Sequence, residues 1–523
     1  MGAALLERLD VSSFVSVGNK ADVSGNDLLE YWEDDPGTDV IALYLESFGN
    51  PRKFACIARR VGARKPILLV KSGRSGAGGR AVRSHTAAAA TPDAAVDALT
   101  RAAGVIRLDS VHELIETAVL LTSQPLPTGR RVAIVGNSGG PQAMAADACE
   151  EHGLVVPELP PGLLKGRTGA ALGNPVDLTA DATAAEIGAA VEVLAASPEV
   201  DVVLVVYTPP FGDGPAATRQ AIADATKDTA KTVLACVIGH DGLIDGRVPG
   251  YAFPEQAVQA LAHAVRYAEW RRRPIAPSIA PPQADEKSAR KIVNAQLEAC
   301  PAGGWLSPAA TARLLGCYGV RLAESIDADS PEAAALAAER VGLPVVLKAI
   351  GPVHKSDVGG VRLDLRTQEE VRRAYREMSA RIGDGMTGAI VQRLLPSGVE
   401  IIVGGVNYPA FGPLVMVGMG GVMADLLADR AFRVPPVTDA ADMIGELRCA
   451  PLLHGYRGSP PADVGALADQ VTRVGRLLDD LPQVAELDLN PVIVTPDGAT
   501  TVDARIRVAP CEPPPSPLLR RLR

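Results

Sequence analysis

The chain has 523 residues, of which 47% are apolar, 22% charged and 4% aromatic, with 51 glycines and 42 prolines. This length is too great for one hydrophobic core and predicts about three domains. Glycine and proline fall short of a low-complexity composition, so a generally disordered chain is excluded. The longest apolar runs, such as Val202–Tyr207, are far shorter than the roughly 20 residues that cross a bilayer, so a transmembrane protein is excluded as well.

The formal net charge is −9, and the only dense basic runs lie at 271–273 and at the C-terminus. Nucleic-acid binding is therefore disfavoured, because it favours a basic stripe. The N-terminal charges follow the apolar residues, unlike a secretory signal, and we expect a cytoplasmic protein. Seven scattered cysteines, without a C-x-x-C pair or a histidine at ligand spacing, predict buried thiols in a reducing compartment.

The first half of the chain alternates short apolar runs with helical stretches. Runs that are apolar throughout are typical of strands in a parallel sheet that helices cover on both faces. The first half is therefore predicted to be doubly wound α/β. The predicted strands are Val11–Val17, Val40–Leu45, Pro66–Val70, Val132–Val135, Val202–Val206 and Thr232–Ile238.

The first half also repeats itself. Gly-Asn-Lys-Ala-Asp at 18–22 is echoed by Gly-Asn-Pro-Val-Asp at 173–177, and two further pairs of similar segments follow in the same order. The offset between the paired segments drifts by only a few residues, as loop insertions would cause. Chance similarity between α/β units is the alternative, but the shared order favours two related domains.

A proline-rich stretch at 271–283 then breaks any helix or strand. From about Trp305 the pattern becomes α+β, beginning with a helix over Ser307–Tyr318 whose Ser-Pro start suits an N-cap and the first helical position. Later strands are predicted at Val345–Ala349, Ala389–Gln392, Val399–Val403, Glu486–Val494 and Thr500–Arg505, with a glycine-rich turn at 418–421.

Two glycine-rich loops follow strands of the first half. The loop at 71–80 leads to His85, whose ring nitrogen could carry a phosphoryl group while backbone N–H groups approach the anion. The loop at 136–141 opens a helix whose N-terminus could seat a phosphate. The residues of this seat are Asn137, Ser138, Gly139 and Gly140. An exposed surface loop and a plain tight turn are the respective alternatives.

Two polar groups stand out in the second half. Lys348 lies inside an apolar strand, where an ammonium is costly unless it meets a charge such as a nucleotide phosphate. His354 follows in a polar loop closed by two glycines. Strand alternation places Asp488 and Asn490 on one face, and with Asp503 they offer the hard oxygen ligands that Mg²⁺ takes. Carboxylates on an exposed strand face are the alternative.

Seven motifs in chain order resemble those of the NDP-forming acyl-CoA synthetases, the ADP-forming acetate–CoA ligase relatives of succinyl-CoA synthetase. They lie at 14–24, 44–47, 84–86, 173–177, 354–361, 411–413 and 486–491. The resemblance covers nearly the whole chain and implies two flavodoxin-like, doubly wound domains followed by an α+β ATP-grasp domain. The implied ranges are 1–125 for the domain with the phosphohistidine, 127–273 for the second domain, 274–300 for a linker and 301–523 for the ATP-grasp domain.

The resemblance also implies a phosphoryl relay from an acyl phosphate through a histidine to ADP, with ATP or ADP and Mg²⁺ as cofactors and CoA as a substrate. His85 matches the phosphorylated histidine, Glu46 the glutamate that orients it, and His354 a second histidine that moves the phosphoryl group toward the nucleotide. Nucleotide binding is assigned to Lys348, Gln392 and Glu400, and Mg²⁺ binding to Asp488, Asn490 and Asp503.

In the family a CoA-binding domain comes first, so we expect that segment on another chain or upstream of Met1. A second class of protein also remains open, because the same domains occur fused to GNAT-type protein acetyltransferases as ligand-sensing modules. Retention of His85 and Glu46 favours an enzyme, and the first half disfavours an ATP-grasp ligase unrelated to CoA. The sequence leaves open the acyl substrate, the choice between ADP and GDP, and whether the protein is a homo-oligomer.

Overall fold

The computed structural model describes residues 9–18, 23–74, 93–164, 169–209, 214–240, 242–273, 283–351, 359–408, 411–421 and 427–511. By their internal contacts, the described residues up to 273 form one compact unit and those from 283 to 511 form a second.

The first unit alternates helices and strands along the chain. Its helices are α1 (Gly25–Glu33), α2 (Pro51–Gly62), α3 (Asp93–Ala103), α4 (Val111–Ser123), α5 (Gly139–Glu151), α6 (Ala184–Ala196), α7 (Gly214–Ala225) and α8 (Pro254–Arg272). Its strands are β1 (Ile41–Leu45), β2 (Ile67–Lys71), β3 (Ile106–Leu108), β4 (Val132–Gly136), β5 (Val176–Asp177), β6 (Val202–Tyr207), β7 (Thr232–Val237), β8 (Gly242–Ile244) and β9 (Val248–Tyr251).

These strands form two sheets. The first has the order β1-β2-β3 and is parallel. The second has the order β5-β4-β6-β7-β9-β8, and its described strands pair in parallel except for β8 with β9, which are antiparallel. Strands β2, β4, β6 and β7 are buried at every position, as their apolar runs predict. The predicted doubly wound α/β class is confirmed.

The predicted strand at Val11–Val17 is wrong, because residues 9–18 form no strand. Two serines of this segment bond to side chains of other elements. The Trp32 indole N–H donates to Ser13 Oγ at 2.9 Å, and Ser12 Oγ lies 3.0 Å from Thr38 Oγ1. Phe14 is 76% exposed. The apolar residues of this run therefore do not face a sheet core.

Helix α8 joins the two sheets of the first unit. Val258, Leu261 and Val265 pack in the core of the second sheet. Two residues after Val265, Tyr267 packs in the core of the first sheet, and its hydroxyl donates to the Gly62 carbonyl at 2.8 Å. Helix α8 therefore contributes to both cores.

The second unit is α+β, as predicted. Its helices are α9 (Glu286–Ala299), α10 (Pro308–Cys317), α11 (Pro331–Val341), α12 (Gln368–Ile382), α13 (Ala440–Gly445), α14 (Ala450–Leu453) and α15 (Val464–Asp480). Its strands are β10 (Gly304–Trp305), β11 (Ser325–Ala328), β12 (Val345–Ile350), β13 (Val361–Leu365), β14 (Gly388–Arg393), β15 (Val399–Tyr408), β16 (Gly412–Met419), β17 (Arg430–Arg433), β18 (Val484–Thr495), β19 (Gly498–Thr501) and β20 (Ala504–Val508). Ser307 caps α10 through a bond from the Ala310 N–H, so the predicted N-cap is confirmed.

The second unit also contains two sheets, each antiparallel. The smaller has the order β11-β14-β12-β13, and the larger has the order β10-β20-β18-β15-β16-β17, with β19 on β18. Leu347 and Val391 of the smaller sheet pack in one core with α11 and α12. Because side chains alternate along a strand, Lys348 and Gln392 lie on the opposite face of that sheet.

Among the described residues, no helix is both long and apolar enough to cross a bilayer. All seven cysteines are free thiols, and Cys149, Cys236 and Cys449 are buried as predicted. The prediction of burial is wrong for Cys56, which is exposed on α2.

Candidate active site

The carboxyl ends of β1 and β2 bring Glu46 and Lys71 to the same edge of the first sheet. Leu45 and Lys71 are partners in the parallel register, and the Ser72 N–H continues the ladder by donating to the Leu45 carbonyl at 3.1 Å. Glu46, the next residue after Leu45, is exposed. Lys71 is 9% exposed, and its ammonium donates to the Ser72 carbonyl at 2.6 Å. This edge of the sheet thus carries one accessible carboxylate and one largely buried cation. His85 itself lies outside the described residues.

The N-terminus of α5 follows β4 directly, as predicted. Asn137 does not point its amide toward open space: its Nδ2 donates to the Thr208 carbonyl and its Oδ1 accepts from the Thr208 N–H, both at 2.8 Å. Asn137 therefore fastens the end of β4 to the residue after β6. Ser138 is the N-cap residue but makes no side-chain cap bond, and Gly139 and Gly140 are exposed. The N–H groups of this first turn are the part of the segment that suits an anion.

Lys348 and Gln392 converge on one backbone oxygen. Lys348 Nζ donates to the Val502 carbonyl at 3.1 Å, and Gln392 Nε2 donates to the same oxygen at 3.0 Å. The two side chains are 8% and 5% exposed. Val502 directly precedes Asp503 in the turn between β19 and β20. The structure thus brings two predicted nucleotide residues next to one predicted metal ligand.

Asp488 lies on β18, opposite Gly404 of β15 and Arg505 of β20. A Cβ on Gly404 would lie 3.1 Å from the Leu487 carbonyl oxygen, which is a tight contact, and 3.8 Å from Asp488 Oδ1, which is an ordinary one. Burial, together with the nearby carboxylates of Asp503 and Glu486, raises the pKa of Asp488 above its ordinary value, against the opposing charge of Arg505.

Asn490 lies two residues further along β18 and is exposed. Its N–H donates to the Asp503 carbonyl at 3.0 Å, which places the two residues side by side. Within the described ranges, no group of three His, Cys, Asp or Glu side chains is arranged as a metal site. The predicted set consists instead of two carboxylates and one amide. These are hard oxygen donors, and a divalent cation would relieve the crowding of negative charge around Asp488, so the residues fit Mg²⁺.

Glu400 lies apart from this group. It is exposed on β15 opposite Ile493, four residues before Gly404, which is roughly 13 Å along a strand. Its carbonyl accepts from the Gly420 N–H at 2.8 Å, and a Cβ on Gly421 would lie 2.7 Å from its Oε2. Glu400 therefore lies against the glycine-rich turn that follows β16. His354 lies outside the described residues.

Sequence reasoning missed the Val502 carbonyl, since a backbone oxygen leaves no mark in the sequence. It also missed Asn174, whose side chain bonds to three backbone groups near β4: it accepts from the Ile134 N–H at 2.9 Å and donates to the carbonyls of Val132 at 2.8 Å and Pro157 at 3.0 Å. The repeated Gly-Asn motif at 173–174 was a signal that could have indicated this residue.

Comparison with known proteins gives two domain matches. The family described as succinyl-CoA ligase like flavodoxin domain matches residues 1–121, and the ATP-grasp domain family matches residues 299–508.

Full-length relatives give the same result. The chain is 34% identical over 516 residues to an ADP-forming acetate–CoA ligase of Archaeoglobus fulgidus, covering 95% of this chain and 74% of the relative. It is 32% identical over 533 residues to an ADP-forming 4-hydroxybutyrate–CoA ligase of Nitrosopumilus maritimus, covering 96% of this chain and 75% of the relative. A solved structure of the acetyl-coenzyme A synthetase 1 of Ca. Korarchaeum cryptofilum, in complex with coenzyme A and Ca-AMPCP, is 40% identical over 42% of this chain and 99% of its own, with a TM-score of 0.40.

The fold and the matched domains define a ligase that combines succinyl-CoA ligase-like and ATP-grasp domains. The chain belongs to the family of ADP-forming acetate–CoA ligases. The alternative of an acetyltransferase regulatory module finds no support in these comparisons.

Proposed function

We propose that the chain interconverts acyl-CoA, ADP and phosphate with a carboxylic acid, CoA and ATP. The similar proteins are named as ADP-forming acid–CoA ligases, and the acids in their names differ, so the acyl group of this protein stays open. ATP or ADP, Mg²⁺ and CoA are the small molecules that it uses. The expected CoA-binding segment outside this chain, the cytoplasmic location and the oligomeric state stay predictions.

The proposed relay has three steps, each of which forms one bond and breaks another. A phosphate oxygen attacks the thioester carbonyl of acyl-CoA, and the CoA thiolate leaves with the C–S electron pair. A ring nitrogen of His85 then attacks the phosphorus of the acyl phosphate, and the carboxylate leaves with the P–O pair. An ADP phosphate oxygen finally attacks the phosphohistidine, and the N–P pair returns to the ring.

Each predicted residue has a part in this relay. Glu46, accessible at the edge of the first sheet, orients the His85 ring, and the first turn of α5 accepts the phosphoryl group at its N–H groups. His354 assists the transfer of the phosphoryl group from His85 toward the nucleotide. Lys348 and Glu400 would contact the nucleotide, whereas Gln392, which the resemblance assigned to nucleotide binding, lies beside Lys348 and bonds to the same Val502 carbonyl. Asp488, Asn490 and Asp503 would hold Mg²⁺, which when bound would neutralise phosphate charge.

One observation carries the nucleotide half of the proposal. The buried ammonium of Lys348 lies within hydrogen-bond distance of the backbone that carries Asp503. A cation donor therefore lies beside a residue that carries a carboxylate, on the face of the smaller sheet opposite its core with α11 and α12. A nucleotide phosphate with its Mg²⁺ requires this pairing.

The test is phosphorylation of the purified chain by γ-labelled ATP with Mg²⁺. We expect an acid-labile, base-stable label on the wild type and at least a 100-fold loss of label in His85→Ala, since the proposed nucleophile is removed. His112→Ala is the matched control and should keep the label, because His112 is an exposed residue of α4 that bonds to Gln256.

Nucleotide binding, measured by calorimetry on the same samples, distinguishes a ligase from a ligand-sensing module. A wild type that binds ATP but takes up no label would contradict the ligase relay and favour a ligand-sensing module. Label that persists in His85→Ala would assign the phosphoryl carrier to another residue.

A further inference from the structure

The short segment from Thr501 to Asp503 connects parts of the second unit that are far apart in sequence. The Thr501 carbonyl accepts from the Ala323 N–H at 2.8 Å, just before the smaller sheet begins at β11. The Asp503 carbonyl accepts from the Asn490 N–H of β18, in the larger sheet. Between them, the Val502 carbonyl accepts the side chains of Lys348 and Gln392. Three successive carbonyls thus bind the segment before β11, the strands β12 and β14 of the smaller sheet, and β18 of the larger sheet.

The two donors to Val502 differ in chemistry. An ammonium in a site that is more than nine-tenths buried gains more from a phosphate than from a neutral carbonyl, so Lys348 has a reason to exchange this bond for a bound nucleotide. Gln392 is neutral and gains little from such an exchange. Its Nε2 is held by Val502, and among the described residues no group donates to its buried Oε1.

We propose that Gln392 is a positioning residue that acts on the metal site through the Val502 carbonyl. When Lys348 bonds to the nucleotide phosphate, Gln392 keeps its hydrogen bond to the Val502 carbonyl. This bond holds Asp503 beside Asn490 and Asp488. Gln392 thereby couples nucleotide binding to Mg²⁺ binding. The inference rests on the proposed nucleotide and Mg²⁺ site and states how one of its residues acts.

Coupling of this kind has a thermodynamic signature. The factor by which the metal tightens ADP binding equals the factor by which ADP tightens metal binding. If Gln392 only holds the turn, its loss reduces this factor while the affinity for ADP without metal stays the same. If Gln392 contacts ADP directly, the metal-free affinity falls instead.

The experiment measures the dissociation constant of ADP by calorimetry without divalent cation and with saturating Mn²⁺, and Mn²⁺ binding by electron paramagnetic resonance. Gln392→Met keeps the length of the side chain but removes the donor to Val502. We expect the coupling factor to fall about five- to tenfold, as the loss of one buried hydrogen bond allows, with metal-free ADP affinity within twofold of the wild type. Lys348→Met should weaken ADP binding without metal.

Gln368→Met is the matched control, since Gln368 is a half-buried residue of α12 whose side chain bonds, among the described side chains, to Glu339 and Arg372. It should leave both constants unchanged. A Gln392→Met protein that is folded by circular dichroism and shows unchanged coupling overturns the inference, and so does a metal-free ADP affinity that falls as far as in Lys348→Met. A wild type that binds no ADP under either condition contradicts the proposed function itself.

Discussion

Asp201 shows how one residue fixes the start of a sheet. Its carboxylate accepts Arg131 Nε at 3.0 Å and the second guanidinium nitrogen at 2.8 Å, and it also accepts the Arg131 N–H at 3.0 Å. A Cβ built on Gly129 would overlap Asp201 Oδ2, so a larger residue there would displace this carboxylate from its hydrogen bonds. The hydrogen bonds from Arg131 lower the pKa of Asp201 below its ordinary value of 3.8, although burial opposes them.

This lowered pKa predicts a pH dependence. A carboxyl group whose pKa is depressed by folding stabilises the folded state above its unfolded pKa, and this stabilisation is lost as the pH falls through the folded pKa. Arg131→Gln should therefore have a lower urea midpoint than the wild type at pH 7, and the difference should shrink as the pH falls below 3.8. Urea denaturation at several pH values from about 2.5 to about 7 measures the difference between the two midpoints.

Arg366→Gln is the control for this prediction. Arg366 pairs with Asp364 at 3.0 Å, but the two side chains are 73% and 49% exposed. A pair so open to solvent contributes little, and we expect a midpoint close to the wild type at every pH. An Arg131→Gln difference that stays constant down to the lowest pH would contradict the assignment to Asp201.

At the scale of elements, a side chain extends a strand that is too short. Strand β5 has two residues and pairs with only the last two residues of β4. The side chain of Asn174 continues the pairing along β4 in place of a longer β5. Its Oδ1 accepts from the Ile134 N–H, and its Nδ2 donates to the Val132 carbonyl. Buried backbone groups are almost always paired, and here a side chain supplies the partner.

Replacing Asn174 should therefore expose β4. We expect Asn174→Ala to lower the free energy of unfolding of the first unit by about 2–4 kcal/mol, because three hydrogen bonds are lost and backbone groups are left unsatisfied. Hydrogen–deuterium exchange should rise in peptides that contain Ile134. Asn294→Ala, on an exposed position of α9, should leave that exchange unchanged. If the β4 peptides stay protected in Asn174→Ala, water or another side chain replaces the amide.

At the scale of the whole molecule, the first unit depends on the close fit of α8 to the first sheet. Gly104 has a φ of +69°, and a Cβ built there would fall on the indole ring of Trp270. The neighbouring Tyr267 hydroxyl binds the Gly62 carbonyl, and the Tyr267 and Trp270 rings lie 6.2 Å apart. Gly104 therefore has two reasons to be glycine, its backbone conformation and its contact.

A pair of substitutions separates these two reasons. Gly49 has the same φ of +69° but nothing within 4 Å of its Cβ position. Gly49→Ala should cost only the left-handed backbone strain, about 1–2 kcal/mol, whereas Gly104→Ala should cost about 1–3 kcal/mol more because of overpacking. Urea unfolding of both variants, followed by tryptophan fluorescence, measures the difference. Equal losses would show that Trp270 moves aside at little cost.

Much of the fold could be predicted from local patterns. The apolar runs at β4, β6 and β7 indicated buried parallel strands, and Ser307 with Pro308 indicated the start of α10. The run at 11–17 has the composition of a strand, but its serines bond to Trp32 and Thr38, and no local pattern indicates those distant partners. The positions of the domain boundaries stay predictions.

The sequence by itself determined the fold class and the family, because strand and helix periodicity are local and the family motifs are contiguous. It also identified Lys348, Gln392 and Asp503 as separate candidates. Only the tertiary structure decided that Lys348 and Gln392 bind the carbonyl next to Asp503, and that the amide of Asn137 fastens two strands. The physical reason is that these contacts join residues 71 to 154 positions apart, and two of the partners are backbone oxygens, which every residue has.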